Sequence, residues 1–330
     1  MTFEDRPAKS YSRRILFLGV FAALLAVGYS GVWFYLADRL ETTSRAVIAS
    51  LNHDGVKAEC TNSTARGYPF RIGIFCEQVS FEDANNGIMA SAGNFRSAGQ
   101  IYDPMRLIAE LDGPARIDLP QAPPLELNWK NLRSSMRLAQ PLPQRISVEG
   151  QELTATEPGG EKRILTAETF EWHMRPNAAD LDLAGNFVNL ALDPSLVEGR
   201  ALPPLSSESD VTLTNGAQLL LQDVRSMRGQ SGTIRTLTLT TGPETGLALS
   251  GPFSIDQDGL IDASLNIAIR DPKGIASVIG DILPEYRRQI RNASSALGFL
   301  GNAPSIPLTI VKGQASIGFI SLGSIPPVQP

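Results

Sequence analysis

Residues 15–36 read ILFLGVFAALLAVGYSGVWFYL, a run that contains no charged side chain. An α-helix rises about 1.5 Å per residue, so a helix over this run is about 33 Å long and can cross a hydrocarbon core of roughly 30 Å. Trp33 and Tyr35, near its end, suit a membrane–water interface. The run therefore predicts a transmembrane helix, and the rest of the chain is expected to be attached to the membrane by it.

The charges around this run predict its orientation. Basic residues are concentrated before it, at Arg6, Lys9, Arg13 and Arg14, whereas the first stretch after it contains only Arg39 and Arg45. Since basic residues favour the cytoplasmic side, residues 1–14 are expected in the cytoplasm and the body in the periplasm, anchored in a bacterial inner membrane. A cleaved signal peptide, with a small-residue site at residues 26–28, is the alternative. The apolar part of a signal peptide spans only about 7–15 residues, which favours a retained anchor.

Composition limits the chemistry of the chain. Its 330 residues include only two cysteines and two histidines, and the cysteines are 16 positions apart, which does not match the ligand spacing of classical Cys/His zinc sites or of haem attachment. The formal net charge is −5, and without the four basic residues before the run and without Glu4 and Asp5 it is −7. Attraction to nucleic acid or to anionic lipid headgroups by bulk charge is therefore not expected. No nucleophile elbow, zinc-protease, dinucleotide-binding or P-loop motif occurs outside the anchor, so no catalytic, cofactor-binding or metal-binding residue is predicted.

After the membrane segment, residues 37–55 are expected to form a helical stalk. Apolar residues recur at the spacing of one helical face, at Leu36, Leu40, Val47, Ile48 and Leu51. Gly55 suits a helix C-terminus, and His53 is interpreted as part of that terminus rather than as a general base beside Asp54.

The two cysteines lie on either side of a predicted turn. Residues 56–81 are expected to form two strands around a turn at residues 65–69. Cys60 and Cys76 are equally distant in sequence from Tyr68, so a hairpin centred there places them opposite each other. In an oxidising compartment, this arrangement predicts a disulfide.

The rest of the chain is predicted to be a β-meander. Turn signals recur at Asn85-Asn86-Gly87, Asp112-Gly113, Pro158-Gly159-Gly160, Asn215-Gly216, Gly242-Pro243 and Asp256-Gln257-Asp258-Gly259. Between them, apolar and polar residues alternate, as in strands with one apolar and one solvent-facing side. The predicted fold is therefore mainly β, with residues 56–330 forming antiparallel, curved or bent sheets in one body or in two sub-sheets.

The apolar side of these sheets is the candidate ligand groove. The strand residues predicted to line it are Phe170, Trp172, Met174, Leu237, Leu239, Leu265 and Ile267. An amphipathic helical pattern, divided by Pro284, extends over residues 275–300, with Ile279 and Leu283 on its apolar stripe. A sheet with one apolar face must bury that face. The helical segment is therefore expected to pack on it near one end, and a partly covered face would leave a groove.

Several short motifs occur together in the chain: Arg66-Gly67-Tyr68-Pro69-Phe70-Arg71, Tyr102-Asp103-Pro104, Ala109-Glu110-Leu111-Asp112-Gly113-Pro114, and the ending over residues 318–327. With them, the chain after the anchor resembles the bacterial, mainly alphaproteobacterial, family known as domain of unknown function twenty-one twenty-five. The resemblance implies a membrane-anchored envelope protein, but no activity and no catalytic residues. An anchor followed by long β-meanders is also similar to the architecture of AsmA-like envelope proteins, whose bent sheets enclose an apolar groove for lipids. That second likeness concerns architecture alone.

The leading functional hypothesis is a non-enzymatic, single-pass membrane protein whose periplasmic β-rich body binds a lipid or another hydrophobic envelope component. The alternative is a scaffold whose apolar faces are buried between sheets and whose outer surface binds an envelope protein. A hydrolase is the weakest hypothesis, because it would require a cluster of perturbed carboxylates in a cleft. The identity of the ligand does not follow from the sequence.

Overall fold

A computed structural model of the chain describes residues 11–120, 122–160, 162–197, 199–221, 226–282, 287–288, 305–318 and 320–329. These residues form a long N-terminal helix followed by a mainly β body, whose strands pair antiparallel in one sheet that does not close. The predicted fold class is confirmed.

The N-terminal helix, α1, spans Tyr11–Leu51. The predicted membrane segment and most of the predicted stalk therefore belong to one continuous helix, which is long and apolar enough to cross a membrane, a test that a signal sequence also meets. The helix ends at Leu51, earlier than the expected stop at Gly55. Asn52 holds the chain as it enters the body, because its side chain accepts a hydrogen bond from the Ala58 amide (2.6 Å) and donates one to the Ala58 carbonyl (3.1 Å).

The body begins directly after this turn. The strands of the described residues are β1 (Val56–Thr61), β2 (Thr64–Arg66), β3 (Arg71–Cys76), β4 (Gln78–Asp83), β5 (Ile88–Ala92), β6 (Phe95–Gln100), β7 (Asp103–Leu111), β8 (Ala115–Leu119), β9 (Ala122–Asn128), β10 (Asn131–Arg137), β11 (Arg145–Thr156), β12 (Arg163–Asn177), β13 (Asp180–Leu192), β14 (Leu205–Leu213), β15 (Ser231–Thr240), β16 (Gly246–Ile255), β17 (Ile261–Arg270), β18 (Ser305–Val311), β19 (Gln314–Ile317) and β20 (Ile320–Ser324). A short 3-10 helix, Pro194–Val197, follows β13.

The sheet forks at β11. The first branch runs through β2, β3, β6, β7 and β10, and the second runs through β1, β4, β5, β8 and β9. β10 pairs with the first half of β11, from Arg145 to Gln151, whereas β9 pairs with its end, from Thr154 to Thr156. From β11 to β20, each strand pairs with the next one along the chain. This second part is the predicted meander.

A disulfide ties the two branches together. Cys60 of β1 and Cys76 of β3 are bonded, with their Cα atoms 5.2 Å apart, so the predicted disulfide is confirmed. The local strand pattern differs from the prediction, because residues 56–83 form four strands instead of two. Asn62 takes a left-handed conformation (φ 53°) and ends β1. As a result β1 pairs with β4, and only the short β2 forms the hairpin with β3.

Two further helices are present in the described part of the body, α2 (Gly216–Leu221) and α3 (Pro272–Ile282). Asn215-Gly216, predicted to be a hairpin turn, instead leads into α2. The start of α3 is fixed by Asp271, whose carboxylate accepts a hydrogen bond from the Gly274 amide (3.0 Å). α3 packs against β17. The predicted helical segment is therefore supported as far as Ile282, whereas Leu283 and residues 289–300 lie outside the described residues.

Two clusters of buried side chains stabilise the meander. The first contains Met174, Leu181 and Leu213, and Leu219 of α2 packs against it. The second contains Ala263, Leu265 and Ile310. Phe253 contacts both clusters and joins them. Burial of each large side chain of this kind is worth about 1.5–3 kcal/mol.

Candidate functional site

The residues predicted to form an apolar groove lie on β12, β15 and β17. Trp172, Leu237 and Ile267 belong to one row of residues that are in register across β12–β17. Phe170 and Leu239 belong to the adjacent row on the same side. Residues in register share one face of a sheet, so the structure brings these five together on one face. Two other predicted residues, Met174 and Leu265, are buried in the two clusters described above. Ile279 is half-buried on α3. Trp172 is 40% exposed.

A groove of about 690 Å³ lies elsewhere, on the first branch and the start of β11. It is lined by residues of β3, β6, β7, β10 and the start of β11. Six arginines contribute to it, namely Arg71, Arg96, Arg106, Arg133, Arg137 and Arg145. Among the described residues that line it, Glu110 is the one acidic side chain. A basic site therefore occurs in a chain whose net charge is negative.

The floor of the groove is apolar. Phe75, Ala98 and Ile108 line it, and Ala98 and Ile108 are directly opposite each other in β6 and β7. Ile108 is 48% exposed, although it lies in the middle of a sheet. A volume of this size is within the usual range for sites that bind small molecules, about 300–1,000 Å³. The groove can therefore accept a ligand that has both an apolar and an anionic part.

The charges in the groove are unevenly neutralised. Arg96 forms two 2.6 Å hydrogen bonds with Asp112, which raise its pKa, and Arg133 donates to Glu149 from Nε (2.7 Å). Among the residues that the structure describes, Arg71, Arg137 and Arg145 have no carboxylate partner.

The groove is directly connected to α1. Trp33 is 5% exposed, and its indole Nε1 donates a hydrogen bond to the carbonyl oxygen of Arg71 (2.9 Å). One helical turn earlier, the Tyr29 hydroxyl donates to the Pro69 carbonyl (2.5 Å). Further along the helix, Glu41 accepts a hydrogen bond from the Ala65 amide (2.7 Å). The β2–β3 hairpin is thus bound along the last two turns of the apolar run and the start of the predicted stalk.

Large apolar side chains are exposed at the turns beside this contact. Tyr68 and Phe70 in the β2–β3 turn are 51% and 69% exposed, and Tyr102 in the β6–β7 turn is 78% exposed. A hydrogen bond from the Ile101 amide to the Phe70 carbonyl (3.2 Å) joins the two turns. We call residues 67–70 and 101–102 the hairpin tips. If α1 crosses a bilayer with residues 15–36, the hairpin tips, which contact α1 at Tyr29, lie in the outer part of that bilayer.

A second group of charged residues, on the meander, is paired and structural. Asp182 is nearly buried and receives hydrogen bonds from Arg175 (2.7 Å), Thr212 (2.8 Å) and Arg235 (3.1 Å). Burial acts to raise the pKa of Asp182, but these three donors outweigh it and lower the pKa below its ordinary value. This network joins β12, β13, β14 and β15.

The two histidines lie apart from each other. His53 follows the end of α1, with its Nδ1 3.2 Å from the Leu51 carbonyl oxygen. His173 is on the polar face of β12, with its Nε2 3.3 Å from a carboxylate oxygen of Glu171. Within the described ranges, no group of three or more His, Cys, Asp or Glu side chains is arranged to hold a metal ion.

The arginine-lined groove was missed by sequence reasoning. Its arginines are separated by up to 74 positions between Arg71 and Arg145, and only strand register brings them together. One local signal was available, because Arg133, Ser135 and Arg137 alternate with Ser134 and Met136, which is typical of a strand whose outward face is basic.

The comparisons with known proteins agree with the motifs found in the sequence. No curated protein matches the chain, and no solved structure matches it. A family model, described as an uncharacterized protein conserved in bacteria (DUF2125), matches residues 33–326. This match covers the predicted stalk and nearly all of the β body, and begins at Trp33, the residue that binds α1 to the groove strand. The chain belongs to the DUF2125 family of uncharacterized bacterial proteins.

Proposed function

We propose that this chain is a non-enzymatic, single-pass protein of the bacterial inner membrane whose periplasmic body binds a lipid at the membrane surface. The observation that carries the proposal is the position of the groove: an apolar floor, bordered by arginines, directly beside the end of the apolar run of α1. A lipid-binding site needs access to the membrane that supplies its ligand, and the hydrogen bonds from α1 to the β2–β3 hairpin support such a position.

The depth of the groove follows from helix geometry. The contacts of the β2–β3 hairpin begin at Tyr29, and the apolar run ends at residue 36. At about 1.5 Å per residue, these positions are about 10 Å apart along the helix. The hairpin tips therefore reach into the outer part of the bilayer, about 10 Å below the end of the run, and their exposed aromatic side chains suit a position between the interface and the acyl chains. The groove opens just above them, at the level of lipid headgroups.

The oxidising location of the body has independent support in the Cys60–Cys76 disulfide, because disulfides persist outside the cytoplasm. Orientation is tested by adding protease to spheroplasts. We expect digestion of the body beyond Asp38. Protection of the C-terminal region until the inner membrane is lysed would reverse the proposed orientation. A secreted chain beginning near Tyr29 would show that α1 is cleaved.

Lipid binding is tested by extracting the full chain in mild detergent and identifying the copurifying hydrophobic molecules by mass spectrometry. The test variant is Ala98→Trp, which fills the floor of the groove. The matched control is Ala184→Trp, because Ala184 is also half-buried, on the same face and in the same register row, but five strands farther along the sheet. We expect the bound lipid to be lost in the first variant and kept in the second.

Three results would contradict the proposal. If the wild-type chain carries no lipid, or if both variants keep the same amount, the groove does not bind one. Copurification of a defined envelope protein without lipid would favour the scaffold hypothesis. Turnover of an ester or glycoside by the purified chain would show that the protein is an enzyme.

A further inference from the structure

We infer that the groove binds its ligand through a phosphate group held by Arg106, Arg137 and Arg145. The inference deepens the proposed function and rests on it for the lipid part of the ligand. It gives the site a chemical class, an anionic phosphate-bearing amphiphile, and assigns the charged part of that ligand to three named side chains.

The first step is the strand register. Arg137 of β10 is directly opposite Arg106 of β7 on one side and Arg145 of β11 on the other. Adjacent strands are about 4.8 Å apart, so three guanidinium groups leave the same face of the sheet side by side. Like charges directly opposite each other destabilise a sheet. A row of this kind is the arrangement expected where an anion binds.

The positive charges of this row outnumber the carboxylates that pair with them. In this row, Arg106 has one carboxylate partner, Asp103, at 3.1 Å. Arg145 donates to the neutral Ser147 hydroxyl (3.2 Å), and Arg137 has no ion-pair partner among the described residues. Three positive charges therefore meet one negative charge. The other end of the groove is different, since Arg96 and Arg133 are neutralised by carboxylates of the protein.

The third step is the position of this row. Arg106 and Arg137 immediately adjoin the turns at the membrane end of the sheet, and the Met105 carbonyl accepts a hydrogen bond from the Leu138 amide (2.8 Å) across those turns. Arg71, which also lines the groove, follows the hairpin tip that binds α1. The unneutralised charge is therefore concentrated near the level of Trp33, about 4.5 Å below the end of the apolar run, and long arginine side chains can extend from there to lipid phosphates. Ile108 of the apolar floor is the next residue after Arg106 on the same face of β7.

The fourth step is the chemistry of arginine. A guanidinium group is planar, stays charged at every physiological pH and donates two parallel hydrogen bonds to a phosphate. Several such groups on one rigid face can surround the oxygens of a single phosphate. A zwitterionic headgroup brings its own cation and gains less from this arrangement, so the groove is expected to prefer a lipid with net negative charge.

The experiment uses the full chain in maltoside detergent and three probes: dihexanoyl-phosphatidylglycerol, dihexanoyl-phosphatidylcholine and inorganic phosphate. Binding is measured by calorimetric titration. The test variant is R137Q/R145Q. The control is R116Q, because Arg116 is also exposed on a strand and has no ion-pair partner among the described residues, but lies on the second branch outside the groove. We expect phosphatidylglycerol to bind more tightly than phosphatidylcholine, and its Kd to rise about tenfold or more in the test variant only.

The other outcomes separate this inference from the proposed function. Equal binding of both lipids, unchanged in R137Q/R145Q, overturns the phosphate assignment but leaves lipid binding intact. Binding of inorganic phosphate alone, lost in the variant, supports the arginine site while removing the lipid. Absence of binding by all three probes overturns both.

Stability provides a second readout that does not depend on a ligand. Since the arginine row is self-repelling, the ligand-free R137Q/R145Q variant should melt at the same temperature as the wild-type chain or higher. If the arginines were structural, their replacement would lower the melting temperature. A clear decrease would therefore overturn the inference, whatever the titrations show.

Discussion

The indole Nε1 of Trp33 donates a hydrogen bond to the carbonyl oxygen of Arg71, at 2.9 Å. The two residues belong to α1 and to β3, a strand that lines the groove, so this contact, together with those of Tyr29 and Glu41, fixes the position of the groove along the helix. Tyr68 packs edge-on against the Trp33 ring, with ring centroids 5.4 Å apart. The body is therefore held on the helix by side-chain contacts as well as by the covalent connection through Asn52.

The first prediction concerns this contact. Trp33→Ala removes a nearly buried aromatic side chain, a change that typically costs about 3–5 kcal/mol, and it should release the β2–β3 hairpin from α1. Hydrogen exchange at the amides of residues 67–71 should then accelerate. Trp33→Phe retains most of the packing and loses the hydrogen bond, so about 1 kcal/mol is expected. Val32→Ala, on the exposed side of the helix, is the control. Unchanged exchange in Trp33→Ala would mean that the hairpin does not depend on the helix.

The second prediction concerns the disulfide between Cys60 and Cys76. It joins the two branches of the sheet, and in the chain-entropy model a loop of about 15 residues is worth roughly 3 kcal/mol. The double variant C60S/C76S should therefore be less stable by about this amount in denaturant titrations, and reduced wild-type protein should behave in the same way. Alkylation of two free thiols, in protein denatured straight from the cell, would show that the bond does not form there.

The third prediction concerns the buried network around Asp182. Asp182→Asn removes the carboxylate that Arg175 and Arg235 share. Both arginines are largely exposed and Arg235 keeps Asp210 as a partner, so a loss of about 1–2 kcal/mol is expected, between the values for an exposed ion pair and for a hydrogen bond to a buried charge. Because the pKa of Asp182 is lowered in the folded state, the unfolded chain takes up a proton first as the pH falls. The stability that Asp182 provides is therefore complete above the ordinary carboxyl pKa of about 3.9 and is lost below it.

This pH dependence gives a direct measurement. The useful range is about pH 6 to pH 3, which spans the ordinary carboxyl pKa. Over this range, the free energy of unfolding should fall less steeply in Asp182→Asn than in the wild-type chain. Identical slopes in Asp182→Asn and in the wild-type chain would show that Asp182 does not contribute to acid sensitivity.

The sequence was sufficient where structure depends on local pattern. The charge-free run predicts α1, alternation predicts β12, β15 and β17, and equal spacing about Tyr68 predicts the disulfide. Each of these follows from residues close to one another in the chain, because the periods of helices and strands are local properties. The same reasoning failed at Asn62, where a left-handed residue ends β1, and at Asn215-Gly216, where the chain enters α2 instead of a hairpin.

The groove could not be found in this way. Its arginines become neighbours only through pairings among β3, β6, β7, β10 and β11, and two of these pairings, β3 with β6 and β7 with β10, join strands that are not consecutive in the chain. A shift of one residue in any of these pairings would move an arginine to the opposite face. Bulk composition also pointed away from the groove, since a net negative charge conceals a basic site that involves only a few residues.

The fourth prediction concerns α3. Ile279 is half-buried on this helix, and Ile279→Asp would place an unpaired charge in its contact with the sheet, where burial is costly. The body should melt at a lower temperature or bind more of a hydrophobic dye. Ser277→Asp is the control, because Ser277 is exposed on the same helix and the added charge there stays in water. Unchanged melting and dye binding in Ile279→Asp would show that α3 does not cover the apolar face.

The last prediction concerns the depth of the hairpin tips. If α1 spans the bilayer with residues 15–36, Phe70 lies in the outer part of the bilayer, next to the contact of Pro69 with Tyr29, whereas Leu196 lies in the 3-10 helix at the opposite end of the strands. Both side chains are more than half exposed, so each can be replaced by Trp with little effect on packing. In bilayers of brominated lipid, the added fluorescence of Phe70→Trp should be quenched, because quenching requires close contact with the acyl chains. That of Leu196→Trp should remain. The native tryptophans are common to both variants and are subtracted with the wild-type chain. Equal quenching of both would show that the hairpin tips do not enter the membrane, and the arginine row would then not lie within reach of lipid phosphates.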